Sequence, residues 1–410
     1  MDEGELHGLL EDAAAEFSVP GAQVGLLRRG RRTLVCTGSL EATGERPVVA
    51  DTAFHAGSLT KAVTGLVVLG AARAGQLDLD VPCDEQAPGL WSDTPRALLS
   101  QTTGRANVLP ENDEALEDFV ARVASLPLVH PPGRFSYGNA GWSVLDLLLR
   151  RTTGHGFEDS ASALGRQLTF GMPSDAAAGH IAMAEAPPRP APPTYAPAAS
   201  AAGSRWWATA DQLLDFAADN LAARAGDVAD ADLLALRTPT APLPGATVFD
   251  TWGLGWAIWD RGAHQAFGWA GYTGGHRAFL RCFPAQDAAV VVLANSAGSL
   301  FGPPGGSSLF DALLPRLLEL LQVPPLPEPD YDAAPQATTG LSGRYGPLEV
   351  EADGVDGVLL NAAAFGETRP LPCRRLGGNT FNVLGNPPGS TPIAFDADLL
   401  YLGPFALPRS

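Results

Sequence analysis

Lysine is nearly missing from this chain. Of its 27 basic side chains one, Lys61, is lysine and the other 26 are arginine. Cysteine (4) and methionine (3) are also scarce in 410 residues. Cys36, Cys83, Cys282 and Cys373 form no CxxC pair, which argues against a zinc or thiol-redox site and leaves free, mostly buried thiols. The seven histidines fall in no HxH or HExxH spacing, so no metal is expected and nothing calls for a cofactor. Positive charge is outweighed, with a formal net charge of −18. Nucleic acid and anionic membranes both need a basic footprint, so neither is an expected partner. No apolar run approaches the roughly 20 residues of a membrane helix. The opening residues Met1 to Glu5 are acidic where a secretory leader is basic, so a cytoplasmic location is expected.

What is present suits a packed protein. The chain is 45% hydrophobic and 18% charged, and at about 100–200 residues per domain its length predicts two or three domains. The arginine excess can be coding bias alone. A bias that replaced lysine elsewhere nevertheless spared position 61, and lysine, unlike arginine, can lose its proton in a protein.

Residues 6–17 read as an amphipathic helix, and 21–28 and 33–38 as a hairpin turned at Arg29-Gly30-Arg31. Residues 59–75 are apolar all round and predict a buried helix ending at Gly75; 114–125 and 141–153 predict two more. The stretches 252–259, 276–283 and 288–294 have strand character, the last as a buried central strand, and 307–322 predicts a Leu-rich helix. The Pro-rich stretch 186–198 predicts an extended loop, either a surface connection or a cleft wall. Residues 323–340 read as a linker. Beyond them, 341–410 shows short strands at 343–345, 348–351, 358–360, 380–383 and 399–402, which suggests a small β-barrel.

Lys61 stands three residues after Ser58. At the start of a helix, positions i and i+3 share a face, so the amine reaches the hydroxyl. A serine is a poor nucleophile until a neighbouring base takes its proton, and a desolvated neutral lysine can be that base. Tyr137-Gly138-Asn139 precedes a helix; its phenol could shuttle a proton and its amide could hold a substrate carbonyl or the lysine, or the segment could be an ordinary turn. The run Gly268 to Gly275 is a glycine-rich strand edge where a main-chain N–H could complete an oxyanion hole with that of Ser58, or again an ordinary turn.

Together these segments resemble the serine β-lactamase and penicillin-binding-protein superfamily, in its class C β-lactamase-like branch of esterases, D-aminopeptidases and D,D-peptidases. The resemblance spans about residues 8–322. It rests on Phe54 to Lys61, Gly75 to Asp80, Leu98 to Gly104 with Gln101 where the family has histidine, Pro132 to Gly141, and Ala208 to Leu213. Leu341 to Gly346 resembles the start of the lipocalin-like module of some relatives, among them hydrolases and thioesterases that cyclise peptides. The implied fold is α+β: a β-lactamase-like domain over 1–322, with an antiparallel sheet flanked by helices plus a helical subdomain, a linker over 323–340 and an all-β barrel over 341–410.

The resemblance implies roles. Ser58 is the acylated nucleophile, Lys61 its base, Tyr137 the proton carrier, and Asn139 positions substrate; the N–H groups of Ser58 and Tyr272 form the oxyanion hole. The third motif departs from the family, reading Trp269-Ala270-Gly271 where Lys-Thr-Gly or His-x-Gly is usual. The missing cation normally helps to bind a substrate carboxylate. A neutral acyl group is therefore expected, and β-lactamase and D,D-peptidase activity are not. His276 and Arg277 could supply charge instead, or be exposed strand residues. The expected partners are a small-molecule acyl donor with water, an amine or an alcohol as acceptor; the sequence does not specify an oligomeric state. The competing expectation is a catalytically silent ligand-binding protein of the same fold.

Overall fold

A computed structural model describes residues 2–183, 186–192, 196–227, 230–298, 306–329, 331, 334–365, 367–386 and 392–410. Within it the apolar run Ala288–Ala294 is buried at every position, as its AAVVVLA sequence predicts. It pairs antiparallel with Gly21–Arg28 on one side and His276–Phe283 on the other. The sheet has eight strands, in the order Arg31–Gly38, Gly21–Arg28, Ala288–Ala294, His276–Phe283, His264–Thr273, Ala257–Arg261, Thr251–Trp252, Ala241–Pro242. The stretch expected as one strand over 252–259 is broken in two, at Trp252 and Ala257.

Period-two alternation divides this sheet between two helix layers. Gly25, Val291 and Leu280 stand side by side across three strands. Gly25 faces the helix Ala210–Ala222, where an added β-carbon would lie 3.1 Å from the Leu214 side chain. The alternate set, Val24, Val292 and Phe279, faces the other layer, where Phe279 stacks on Phe310 of the helix Gly306–Leu320 at 4.0 Å. The helix Thr60–Arg73 is buried around nearly its whole circumference. It packs against Ala140–Thr153, which closes at Gly154 with φ of 81° in the left-handed region that glycine tolerates. Among the described residues no helix is long and apolar enough to cross a membrane. All four cysteines are free; Cys83, Cys282 and Cys373 are buried and Cys36 is half-buried.

The C-terminal strands form an eight-stranded antiparallel meander from Gly343–Tyr345 to Phe405–Pro408. A bridge from Tyr345 to Arg409 brings the last strand back to the first, so the barrel is nearly closed. Three of its strands escape the sequence pattern: Leu371–Gly377, Pro392–Asp396 and Phe405–Pro408. Each carries a proline, which reads against a strand because it cannot donate to the ladder. The barrel has its own core around Leu348, Leu360, Phe381 and Ile393. Its Ala394, Leu399, Tyr401 and Ala406 instead belong to the same buried cluster as the main sheet. Within the expected linker, Val323 and Leu326 pack on that cluster too.

Of the Pro-rich stretch 186–198, residues 193–195 lie outside the described residues, as do 330, 332 and 333 of the linker. The remainder is not a plain extended loop. Arg189–Pro190 pairs as a short strand, and a 3-10 helix runs from Pro197 to Ala202.

Candidate active site

Ser58 sits in a single 3-10 turn, Gly57–Leu59, that feeds into the helix Thr60–Arg73. Glycines let the turn pack closely against its neighbours. Gly57 has φ of 54°, and a β-carbon there would lie 3.1 Å from the Tyr272 nitrogen. A β-carbon on Gly271 would come within 2.1 Å of the Ala56 carbonyl, and one on Gly203 within 2.9 Å of the Ser58 nitrogen. Substitution at Gly57 or Gly271 would push the turn and the strand His264–Thr273 apart, and substitution at Gly203 would push the turn away from the end of the 3-10 helix Pro197–Ala202. This close approach brings the main-chain N–H of Tyr272 beside that of Ser58, where a pair of donors can receive a developing oxyanion.

Lys61 is fully buried. Its Nζ lies 3.0 Å from Ser58 Oγ, 2.7 Å from Asn139 Oδ1 and 2.8 Å from the Ala202 carbonyl. The last two are pure acceptors, and each takes an N–H. Burial drives the lysine well below its ordinary pKa, towards the neutral amine. A neutral amine has two N–H bonds and one lone pair. With both N–H bonds spent on Asn139 and Ala202, the lone pair faces Ser58, whose hydroxyl alone of the three partners can donate. The amine lone pair and the Ser58 hydroxyl face each other, which is the geometry that general-base activation of a serine requires.

Tyr137 is buried, and its hydroxyl is hydrogen-bonded to Ser58 and accepts from Trp269 Nε1 at 3.2 Å. Burial pushes the phenol up to about 12, partly offset by those two hydrogen bonds, so it is a neutral proton donor at neutral pH. Donors and acceptors then run in one direction: Trp269 N–H to Tyr137, Tyr137 O–H to Ser58, Ser58 O–H to Lys61. Lys61 Nζ also lies 4.9 Å from the centre of the Tyr137 ring.

The structure therefore brings together Ser58, Lys61, Tyr137, Asn139, Trp269, Gly271 and the main chain of Tyr272. It does not bring His276 to the cleft, which corrects the expectation of a substrate contact there. His276 is 4% exposed, and alternation along His276–Phe283 turns it inward against Trp207 and His55, with ring centres 5.3 and 6.1 Å away. Burial keeps it well below its ordinary pKa, helped by His55 and His180, and so uncharged. Arg277 points to the opposite face and is 2% exposed, with Nε donating to Ser307 at 2.8 Å and the guanidinium stacked on the Tyr272 ring. Neither is an exposed strand residue, because each face of this strand carries a helix layer or the catalytic turn.

Three further residues hold the site: His55 and Gln101 lie in segments that carry the family resemblance, although it assigns them no role, and Asn107 has no local sequence signal. His55 Nδ1 accepts from the Gly57 N–H at 3.1 Å, which fixes its other nitrogen as the donor to the Ser204 carbonyl at 3.0 Å. Gln101, at φ of 60°, latches the tyrosine segment: its carbonyl accepts from Ser136 N and its Oε1 from Gly138 N at 2.6 Å. Asn107 Oδ1 accepts from both the main-chain and side-chain nitrogens of Asn139, at 3.2 and 2.9 Å. That clamp turns the Asn139 oxygen towards Lys61.

The β-lactamase family model matches residues 6–307, and the chain belongs to that family of penicillin-binding-protein-like serine enzymes. It is 27% identical over 362 residues to penicillin-binding protein 4 of Amycolatopsis lactamdurans, covering 79% of this chain and 93% of that protein. The crystal structure of SurE superposes with a TM-score of 0.77 at 27% identity, covering 100% of this chain and 99% of that one. SurE has also been solved with D-Leu. The octameric penicillin-binding protein homologue from Pyrococcus abyssi gives a TM-score of 0.69 at 20% identity, covering 99% and 100% of the two chains.

Proposed function

We propose that the protein is a serine acyl-transfer enzyme. An ester, amide or thioester acylates Ser58, and water, an amine or an alcohol then takes up the acyl group. The observation that carries this reading is the buried Lys61 amine 3.0 Å from Ser58 Oγ, with its two other partners both acceptors.

In the proposed cycle Lys61 removes the Ser58 proton as Oγ attacks the acyl carbonyl. The N–H groups of Ser58 and Tyr272 receive the oxyanion. Tyr137 protonates the leaving group, and the Lys61 proton restores the phenol. In the second half Tyr137 takes the proton of the acceptor as it attacks the acyl-enzyme while passing its own proton to Lys61, and that proton returns to Ser58 Oγ as the acyl–oxygen bond breaks.

The third motif supports a neutral acyl group. Trp269 spends its one N–H on Tyr137, His276 is buried and uncharged, and Arg277 lies on the far face. A donor carrying a carboxylate at this edge would lack the usual cation. The D-Leu bound by SurE, whose likeness extends over the whole chain, supports a donor that presents a D-configured apolar residue. A transacylase acting inside a biosynthetic assembly and a hydrolase share every step up to the acyl-enzyme; the acceptor distinguishes them.

The test is intact-protein mass spectrometry after mixing with activated esters and thioesters of D- and L-leucine, with Ser58→Ala alongside. A mass increase on the wild type alone is expected, larger with the D-series. Chasing with water, or with water plus an amine, then separates hydrolase from transacylase. No adduct and no donor consumption would overturn the reading in favour of a silent binding protein.

A further inference from the structure

The segment that carries the proton donor, Phe135-Ser136-Tyr137, lies between the helices Leu116–Ala124 and Ala140–Thr153 and belongs to no helix or strand. Its position is therefore set by what it touches. On one side Gln101 takes Ser136 N and Gly138 N. On the other side four contacts come from the C-terminal barrel. The Tyr137 N–H donates to the Pro404 carbonyl at 3.0 Å. The Phe135 carbonyl accepts from the buried Tyr401 hydroxyl at 2.9 Å. Arg134 is paired with Asp396. The Phe405 ring meets the Tyr137 ring edge-on, at 5.4 Å between centres and 87°.

Tyr137 thus stands among three rings. Trp252 and Trp269 belong to the main sheet, at 6.0 and 5.4 Å, and Phe405 belongs to the barrel. The turn 403–404, between the strands Leu399–Leu402 and Phe405–Pro408, is anchored to the main domain a second time, where Thr247 Oγ1 donates to the Gly403 carbonyl at 2.8 Å. A buried phenol on an irregular segment has no helix or strand to restore it if one wall is removed.

We propose that the barrel is part of the acyl-transfer site, and that Phe405 is a positioning residue that holds Tyr137 in line with Ser58. The inference rests on the acyl-transfer reading for its kinetic consequence, though not for its geometry. Phe405 touches no reacting atom. Without its ring the phenol gains freedom to swing away from Ser58, and a misplacement of this kind lowers the rate of proton delivery far more than the affinity for donor.

The full-length chain is compared with Phe405→Ala, Phe405→Tyr and Phe395→Leu. Phe395 is a buried ring of the barrel's own core, packed against Phe381 and remote from Tyr137 in the contacts it makes. Phe405→Ala is expected to lower kcat about tenfold with KM within about twofold, and to change the shape of the pH-rate profile. Phe405→Tyr keeps the ring and restores kcat, whereas Phe395→Leu lowers the melting temperature and leaves kcat and the pH profile unchanged. A second readout needs no turnover. The Tyr137 signal among the six tyrosines, labelled at Cζ with carbon-13 and assigned by its loss in Tyr137→Phe, should shift in Phe405→Ala but not in Phe395→Leu. An unshifted signal together with wild-type kcat, or an equal loss of kcat in Phe395→Leu, overturns the proposal. A wild type that forms no acyl-enzyme overturns the acyl-transfer reading, and the Tyr137 signal alone then decides this one.

Discussion

Replacing Lys61 by arginine tests the base assignment most directly, because it fixes a positive charge at this position and removes the ability to be neutral. The pocket offers three partners to a cation, Asn139 Oδ1, the Ala202 carbonyl and Ser58 Oγ, with no exposure to solvent. A guanidinium brings five N–H donors and stays protonated, so Ser58 loses the only lone pair aimed at its hydroxyl. General-base assistance contributes about 10²–10⁴ in rate. A loss of about 10³ in the acylation rate is expected, about 4 kcal/mol in barrier at 1.36 kcal/mol per decade. Quenched-flow mixing with an activated acyl donor, read by intact mass, gives that rate without interference from the second half-reaction. Lys61→Met is the companion, keeping much of the stem and removing both charge and lone pair. If the lone pair is what matters, arginine and methionine fall to the same floor. If lysine acts as a fixed positive charge, arginine outperforms methionine by more than tenfold. An arginine variant within tenfold of wild type would refute the argument. The pH dependence is a second check. Burial lowers the lysine pKa, so the acylation rate should rise with pH and level off well below the ordinary lysine value of 10.5. A limb centred near that ordinary value would mean that the amine is charged at neutral pH.

Trp269→Phe keeps an aromatic ring beside Tyr137 and deletes the N–H that donates to the phenol at 3.2 Å; at about 1 kcal/mol for such a bond, kcat should fall five- to tenfold with the fold intact by circular dichroism. Gly271→Ala places a β-carbon 2.1 Å from the Ala56 carbonyl, so the strand must retreat from the nucleophile turn and acylation should drop by about 10² or more; wild-type acylation in that variant would remove the Tyr272 N–H from the oxyanion hole. Burial pushes His55 down to about 4 from its ordinary 6.5. The folded value lies below the unfolded one, so its stabilisation is fully present above pH 6.5 and lost as pH falls towards 4, about 3 kcal/mol in all. Urea unfolding at pH 7 and pH 4.5 should show a larger loss for the wild type than for His55→Asn, and equal losses would contradict it.

The difference between what could be read from the sequence and what could not follows from how far apart the partners lie along the chain. Ser58 and Lys61 are three residues apart at a helix start, so helical geometry alone places the amine on the hydroxyl, and the lone lysine among arginines marks the spot. The central strand Ala288–Ala294 and the buried helix Thr60–Arg73 are legible for a similar reason, since each carries its periodicity within itself. Tyr137 is different. Its sequence setting is an irregular turn, and its role depends on Trp269, which is 132 positions away, and on Pro404 and Phe405 at the far end of the chain. The same holds for the Ala202 carbonyl, which orients the Lys61 lone pair although a main-chain oxygen leaves no mark on a sequence. His276 shows the opposite failure. A histidine directly after a run of glycines invites a role in the cleft, yet one step of strand alternation decides whether it meets substrate or the protein interior, and the neighbours that settle it, His55 and Trp207, come from elsewhere in the fold. Asn107 lies on a loop with no pattern at all, and it fixes which end of the Asn139 amide faces the lysine. In this site the chemical groups are local and legible, whereas the constraints that aim them are long-range, and the proposed acylation of Ser58 depends on that aiming.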